Sequence, residues 1–264
     1  CGQQAHNYKF EGGGAAVLGS IQPQPLNNQL DGSILLSDIE AAIKPDDIHF
    51  AQTRLLSLEN TIGGKVLSQA YLSQAQALAF NRGLKIHLDG ARVANAAVAQ
   101  NIAIADITQY FDSVSICLSK GLCAPIGSIL LGDERLIAKA TRWRKMLGCG
   151  MRQAGIIAAA AKLALTEQVD RLAEDHHHAK LLAQALCQLD EFDVDVNAVQ
   201  TNMVFARLAS HIDANRLSQA LLQKGIKISP SQQLRLVTHA DISSQDIATF
   251  IASLKQVLFE TVDL

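Results

Sequence analysis

Apolar and polar positions along this chain alternate in short runs or recur at helical spacing, and the two patterns succeed one another as strands and helices do. Leu84-Lys85-Ile86-His87-Leu88 predicts a strand that ends in Asp89-Gly90-Ala91-Arg92. Val93 to Ala99 predicts a small-residue helix, and Ser113-Val114-Ser115-Ile116-Cys117-Leu118 a second strand running into Ser119-Lys120-Gly121. Strand, crossover helix and strand make a βαβ unit, in which ligands sit beyond the carboxyl ends of the strands. Upstream, Thr53 to Leu58 predicts a buried strand whose carboxyl end carries Glu59-Asn60-Thr61 on the same rim as Asp89. Ala16-Val17-Leu18 predicts a short strand, followed by a polar loop to Leu30. Ser37 to Lys44 reads as a helix with Ser37 as N-cap, and Ser68 to Arg82 as a helix closed by Gly83 at C′.

Downstream, Asp133 to Met146 predicts a helix with a basic end (Arg142, Arg144, Lys145), broken by Gly148-Cys149-Gly150. A long apolar helix then runs from Met151 through Leu165. A second, small α+β domain begins near Thr166, dividing the chain at 1–166 and 167–264. Its predicted elements are helices over Val169–Leu189, Asp213–Lys224 and Ser243–Glu260, with strands over Met203–Leu208, Ile226–Ser229 and Leu234–Thr238. Arg235 is out of place on a buried strand, because a buried guanidinium needs an anionic partner. Asp175-His176-His177-His178 invites a metal reading, but adjacent histidines on a helix point in different directions. A polar helix face is the preferred reading, and no metal site is expected.

The bulk numbers narrow the class. The chain has 264 residues, 48% of them hydrophobic and 18% charged, with a net charge of −2, as suits a soluble globular protein of one large or two moderate domains. That balance gives no electrostatic case for nucleic acid or an anionic membrane. No run approaches the roughly 18 apolar residues of a membrane helix, and no signal peptide is visible. Five cysteines, odd in number and without a CxxC pair, predict reduced thiols and a cytoplasmic location.

The candidate chemistry lies on the predicted rim. One acid (Asp89) and one lysine (Lys120) past neighbouring strand ends are what pyridoxal 5′-phosphate chemistry needs. The lysine amine carries the aldehyde, and the carboxylate keeps the pyridine nitrogen protonated. Asp89 could instead be a simple helix cap, and Arg92 an ordinary surface arginine. The triplet Gly12-Gly13-Gly14 is a flexible turn and not a P-loop, since no Gly-Lys-Ser/Thr follows.

At these residues the chain resembles the threonine aldolases. The resemblance is carried by His87-Leu88-Asp89-Gly90-Ala91-Arg92, Ser119-Lys120-Gly121-Leu122, Pro125-Ile126-Gly127-Ser128, Arg142-Trp143-Arg144-Lys145-Met146 and Gly150-Met151-Arg152-Gln153. It covers nearly the whole chain in order. Cys123-Ala124 and Cys149 depart from it, standing where glycine or threonine is expected. The resemblance implies the aspartate-aminotransferase-like fold (fold type I): an α/β large domain with a mostly parallel sheet and a small α+β carboxyl-terminal domain. It implies a pyridoxal-phosphate lyase that cleaves L-threonine or L-allo-threonine to glycine and acetaldehyde, working as a homo-oligomer, a tetramer built as a dimer of dimers. It implies that His6, in Ala5-His6-Asn7-Tyr8, stacks on the pyridine ring with Phe10 close by, and that Ser119 and Arg152 help hold the cofactor. It assigns Arg92, Arg235, Lys145 and Phe10 to the substrate, Arg92 also to the cofactor, and His6 or His49 to the removal of the β-hydroxyl proton beside Lys120, although a structural His49 remains open. Against the family the chain begins inside the large domain, so the resemblance implies a fragment lacking about the first fifth to quarter, including the loop that grips the cofactor phosphate. A β-eliminating lyase, another fold type I enzyme, or an inactive subunit are the alternatives.

Overall fold

Three buried strands set the architecture. β1 (Leu55–Glu59), β2 (Lys85–Asp89) and β3 (Ser113–Cys117) pair in parallel, and β4 (Ser128–Gly132) closes the sheet antiparallel to β3. The register sets Glu59 opposite Asp89 and Asp89 opposite Ser115. The carboxyl ends of three strands therefore form one edge. Parallel strands need crossovers, and here they are helical. α4 (Gln69–Asn81) joins β1 to β2, while α5 (Val93–Gln100) and α6 (Ile104–Thr108) join β2 to β3. Leu56, Leu58, Ile86, Leu88, Val114 and Ile116 of the strands and Leu72, Ala75 and Ala79 of α4 are buried. Alanine at four of the eight positions of α5 supplies small side chains along that crossover. Ser68 caps α4 by accepting from the Tyr71 N–H at 3.2 Å.

The computed structural model describes residues 1–260 and forms two compact units, Cys1–Asp170 and Arg171–Leu264. The first unit also holds α1 (His6–Lys9), α2 (Gly14–Val17), α3 (Leu36–Ala42), α7 (Glu134–Met146) and α8 (Gly155–Glu167). The second unit holds α9 (Leu172–Leu186), β5 (Phe192–Asp193), β6 (Met203–Leu208), α10 (Ala214–Gln223), β7 (Gln233–Val237) and α11 (Ser244–Glu260). Its three strands form an antiparallel sheet in the order β5-β6-β7. Its core gathers Ala183, Leu186, Val204, Leu217, Leu221 and Leu254. The α/β class with a mostly parallel sheet and a smaller α+β part is the one expected from the sequence.

Several local expectations are corrected. The strand expected at Ala16–Leu18 is the helical turn α2, entered through Gly12 and Gly13 at positive φ, with Val17 and Leu18 exposed and without strand partners among the described residues. Ser37 is not the N-cap of its helix. The Tyr71 hydroxyl receives the Ile34 N–H and donates to the Ile34 carbonyl, which holds the entry, and the N-cap is Leu35, two residues earlier. The apolar helix expected from Met151 begins at Gly155, because Gln153 adopts φ +48°. Ile226–Ser229 forms no strand; the Ile228 carbonyl is taken by the Ser218 hydroxyl.

The polar face expected at Asp175–His178 is also corrected. Asp175 and His176 are buried, and burial lowers the His176 pKa to about 4, against the pull of Asp175. Arg171 grips Asp175 with two bonds of 2.6 and 3.0 Å.

Gly90 shows how close the packing is at the end of β2. A Cβ there would lie 2.8 Å from the Ser115 carbonyl oxygen and 3.2 Å from Val93 Cβ. Gly90→Ala should therefore lower stability by about 1–3 kcal/mol, read as a drop in Tm; an unchanged Tm would show that the strand end yields freely. In the second unit, Asp175→Ala leaves Arg171 without its carboxylate. It should cost on the order of 3 kcal/mol, measured by denaturant unfolding, and a loss under 1 kcal/mol would show the pair to be dispensable.

Candidate active site

The carboxyl-terminal edge of the parallel sheet gathers the titratable groups. β1 ends in Glu59 and β2 in Asp89, side by side in the register. Past β3, the chain turns at Lys120: the Cys123 N–H donates to the Lys120 carbonyl at 2.9 Å and Ala124 N–H to the Leu118 carbonyl at 2.9 Å. Arg92 is the N-cap residue of α5. The Asn60 N–H donates to the Asp89 carbonyl at 3.0 Å, and the Gly90 N–H to Ser115 at 2.8 Å, so the backbone pairing continues past the side chains that matter.

Asp89 is partly the local cap that the sequence left open. Its Oδ1 accepts the Ala91 N–H at 3.1 Å, which leaves Oδ2 for a further partner. Glu59 received no role from the sequence beyond its place on the rim. Its Oε2 accepts the His6 peptide N–H at 2.7 Å. Loss of water raises its pKa to about 7; the His6 N–H opposes the rise, Asp89 adds to it, and Lys120 and Arg92 oppose it. The structure thus brings Asp89, Lys120, Arg92 and His6 into one electrostatic neighbourhood, with Glu59 at its centre. The signal for Glu59 was present in the sequence as an acid closing an apolar strand beside a second acid-ended strand.

The His6 imidazole faces outward, with Nδ1 2.9 Å from Glu11 Oε1 and its ring 5.3 Å from the Phe10 ring. Phe10 is 62% exposed, a large apolar surface beside the rim residues. Asn7 Nδ2 donates to the Ser57 hydroxyl at 2.8 Å. Ser119, exposed, lies 3.4 Å from the Cys117 sulfur. Cys123 takes φ +61°, a backbone state that glycine enters without cost, at one of the positions where the sequence departs from the threonine aldolase pattern.

Other expected site residues stand apart from this cluster in the contacts they make. His49 sits in the exposed loop between α3 and β1, its Nδ1 2.7 Å from Asp47 Oδ1. Lys145 lies in the last turn of α7, where its side chain covers Gly150, and Arg152 is exposed in the loop before α8. Arg235 corrects the expectation of burial. It lies on the exposed side of β7, paired in register with the half-exposed Phe205, so no buried anion is required to explain it. A groove of about 590 Å³ lined by Leu118, Ile129, Ile157, Ala158 and Ala161 is mostly apolar and holds none of the rim acids. No cluster of three or more His, Cys, Asp or Glu among the described residues is arranged to hold a metal ion.

The rim fits pyridoxal phosphate on its own chemistry. Asn60 Nδ2, Thr61 Oγ1 and Asn7 Oδ1 are buried without partners among the described residues. Such groups call for a bound polar molecule, since each costs about 1–3 kcal/mol when left unpaired. An amine, a carboxylate oxygen, an amide donor and an imidazole at one edge match an aldehyde, a ring nitrogen, a ring oxygen and a ring face.

Comparison with known proteins identifies the family. The chain is 51% identical over 251 residues to the low specificity L-threonine aldolase of Escherichia coli (strain K12), covering 95% of this chain and 74% of that one. It is 38% identical over 266 residues to low-specificity L-threonine aldolase 1 of Arabidopsis thaliana, covering 97% and 74%. Among solved structures, a threonine aldolase of Leishmania major superposes with a TM-score of 0.78 at 20% identity, covering 98% of this chain and 76% of that one, a likeness of fold. The beta-eliminating lyase family model matches residues 1–210, and the chain belongs to that family.

Proposed function

We propose that the rim formed by Asp89, Lys120, Arg92 and His6 is the active site of a carbon–carbon lyase that splits L-threonine and L-allo-threonine into glycine and acetaldehyde. The observation that carries the reading is the pairing of a carboxylate and an amine at neighbouring strand ends, in a chain half identical to an L-threonine aldolase. The implied cofactor is pyridoxal 5′-phosphate, which when bound supplies a conjugated ring that takes up the electron pair released at the substrate's α-carbon.

Each residue has a task that its chemistry permits. The Lys120 amine would hold the cofactor through its aldehyde. Asp89, through the oxygen not used by Ala91, keeps the ring nitrogen protonated. Asn60 Nδ2 donates to an oxygen on the ring. His6 packs on the ring face with Phe10 beside it, and Ser119 and Arg152 bind the cofactor's polar periphery. The planar forks of Arg92 and Arg235 suit the substrate carboxylate, with Lys145 adding positive charge. Removal of the β-hydroxyl proton falls to His6 or His49, directly or through water; the Cα–Cβ bond then breaks, acetaldehyde leaves, and a proton returned to Cα gives glycine.

The family's name keeps β-elimination as the second reading. It would yield a 2-oxo acid and ammonia in place of glycine and acetaldehyde. We also infer a homo-oligomer, built as a tetramer of two dimers: Trp143, Met146, Ile156 and Leu163 expose apolar surface that a subunit contact would cover. A cytoplasmic location follows from the unpatterned cysteines. Among the described residues, no helix is long and apolar enough to cross a membrane.

Two outcomes test the assignment. Borohydride reduction of the cofactor-loaded protein should fix the label on Lys120, and Lys120→Ala should abolish both label and turnover. Label on another lysine would refute the role. Arg235→Ala should raise the KM for threonine about ten- to hundredfold, the worth of one charged hydrogen bond, while cofactor affinity stays the same. An unchanged KM would remove Arg235 from the substrate.

A further inference from the structure

His6 depends on a carboxyl group outside its own segment. α1 is a four-residue turn, and its N-cap Ala5 has no side-chain acceptor to offer. The first N–H groups of any helix lack intrahelical partners. Here the N–H of His6 is met by Glu59 Oε2 at 2.7 Å, across 53 residues of sequence. The other tether of the residue, the 2.9 Å contact of its ring with Glu11, joins two half-exposed side chains and is therefore weak. The Glu59 bond joins a half-buried carboxyl to a backbone N–H at 2.7 Å, and is the stronger of the two once that carboxyl is ionised.

We propose that Glu59 is a positioning residue of this site: its carboxyl oxygen clamps the peptide N–H of His6 and so fixes where the imidazole stands relative to Asp89 and Lys120. The inference rests on the reading of His6 as an active-site residue. Glu59 accepts this N–H from a place where its ionised form is costly, since burial there raises its pKa. Asp89 from β2 repels it, Lys120 from the turn after β3 and Arg92 from the start of α5 attract it, and the His6 peptide from α1 donates to it. An amide oxygen or a backbone carbonyl would accept the same N–H without that cost.

The charge state adds a pH dependence with a definite sign. The Glu59 pKa in the folded chain is about 7, above its ordinary value of 4.5. The folded state therefore holds the proton more tightly than the unfolded one. Stability attributable to this group is full below about 4.5, falls as pH rises through about 7, and is level above that. The ionised carboxylate is the better acceptor, so the clamp tightens over the range in which stability falls.

The test uses the full chain and two variants, Glu59→Gln and Glu59→Ala. Without cofactor, amide hydrogen exchange is followed at His6, with the Gly90 amide as reference. Glu59→Ala should speed His6 exchange about tenfold or more relative to Gly90, the worth of one charged hydrogen bond. Glu59→Gln, which keeps an acceptor oxygen, should stay close to wild type and abolish the fall in Tm between pH 5 and 8. With cofactor and threonine, Glu59→Ala should lower kcat while leaving KM little changed, and Glu59→Gln should rescue kcat. If His6 and Gly90 exchange speed up together, or His6 exchange does not change in Glu59→Ala, the clamp is refuted. If the wild-type protein fails to cleave threonine, the functional reading falls, while the exchange measurement still decides the clamp.

Discussion

The in-register parallel pairing of β1, β2 and β3 is the constraint from which the rest of this site follows. It places two carboxyl groups, Glu59 and Asp89, side by side at an edge with little water. Like charges that close cannot both ionise without compensation. The chain meets the problem from three directions: Lys120 from the turn after β3, Arg92 from the start of α5, and the His6 peptide N–H from α1. All three compensating groups belong to residues that have a role in the proposed function. Electrostatic balance of the edge and assembly of the reactive groups are thus one requirement.

The packing beneath that edge gives it little freedom. Gly90 approaches the Ser115 carbonyl too closely for any side chain, and the backbone pairing runs on through Asn60 and Gly90 past the strand ends. Asp89 is held between these contacts, with one oxygen tied to Ala91. A carboxylate fixed in this way loses little entropy when it meets a ring nitrogen, which is the advantage of a preorganised group over one on a mobile loop.

The sequence made the βαβ unit and the Asp89–Lys120 pair legible because period-two runs, glycine stops and chemistry-bearing residues coincide there. It made the local breaks less legible where a distant side chain decides the outcome. Tyr71 moves the start of α3 through a contact with Ile34, which no reading of the Ser37 segment alone reveals. Asp175 and His176 look like a solvated face until Arg171, one turn earlier, is seen to neutralise the buried acid. Arg235 erred in the other direction. The apolar neighbours Leu234 and Leu236 suggest a buried strand around Arg235, whereas β7 has one exposed face that Arg235 shares with Phe205. Glu59 could be placed on the rim but not weighed, since its burden comes first from burial by the folded chain and then from Asp89, 30 positions away.

The distribution of unsatisfied polar groups separates stability from function. In the second unit the buried Thr238 is well served: its hydroxyl donates to the Asp175 carbonyl at 2.6 Å, and its carbonyl receives Asn202 Nδ2 at 2.9 Å. Asn202 Oδ1 and His178 Nδ1 nevertheless lack partners there among the described residues, and the carboxyl-terminal edge of the parallel sheet carries further such atoms. Asn60 Nδ2, Thr61 Oγ1 and Asn7 Oδ1 are left open while Glu59 is kept in a place that disfavours its charge. Unpaired groups at about 1–3 kcal/mol each are a large fraction of a domain's net stability of roughly 5–15 kcal/mol. A ligand that pairs with them recovers that energy on binding and stabilises the folded chain by mass action. A sheet edge that holds polar groups open at the expense of fold stability is thus suited to a polar ligand.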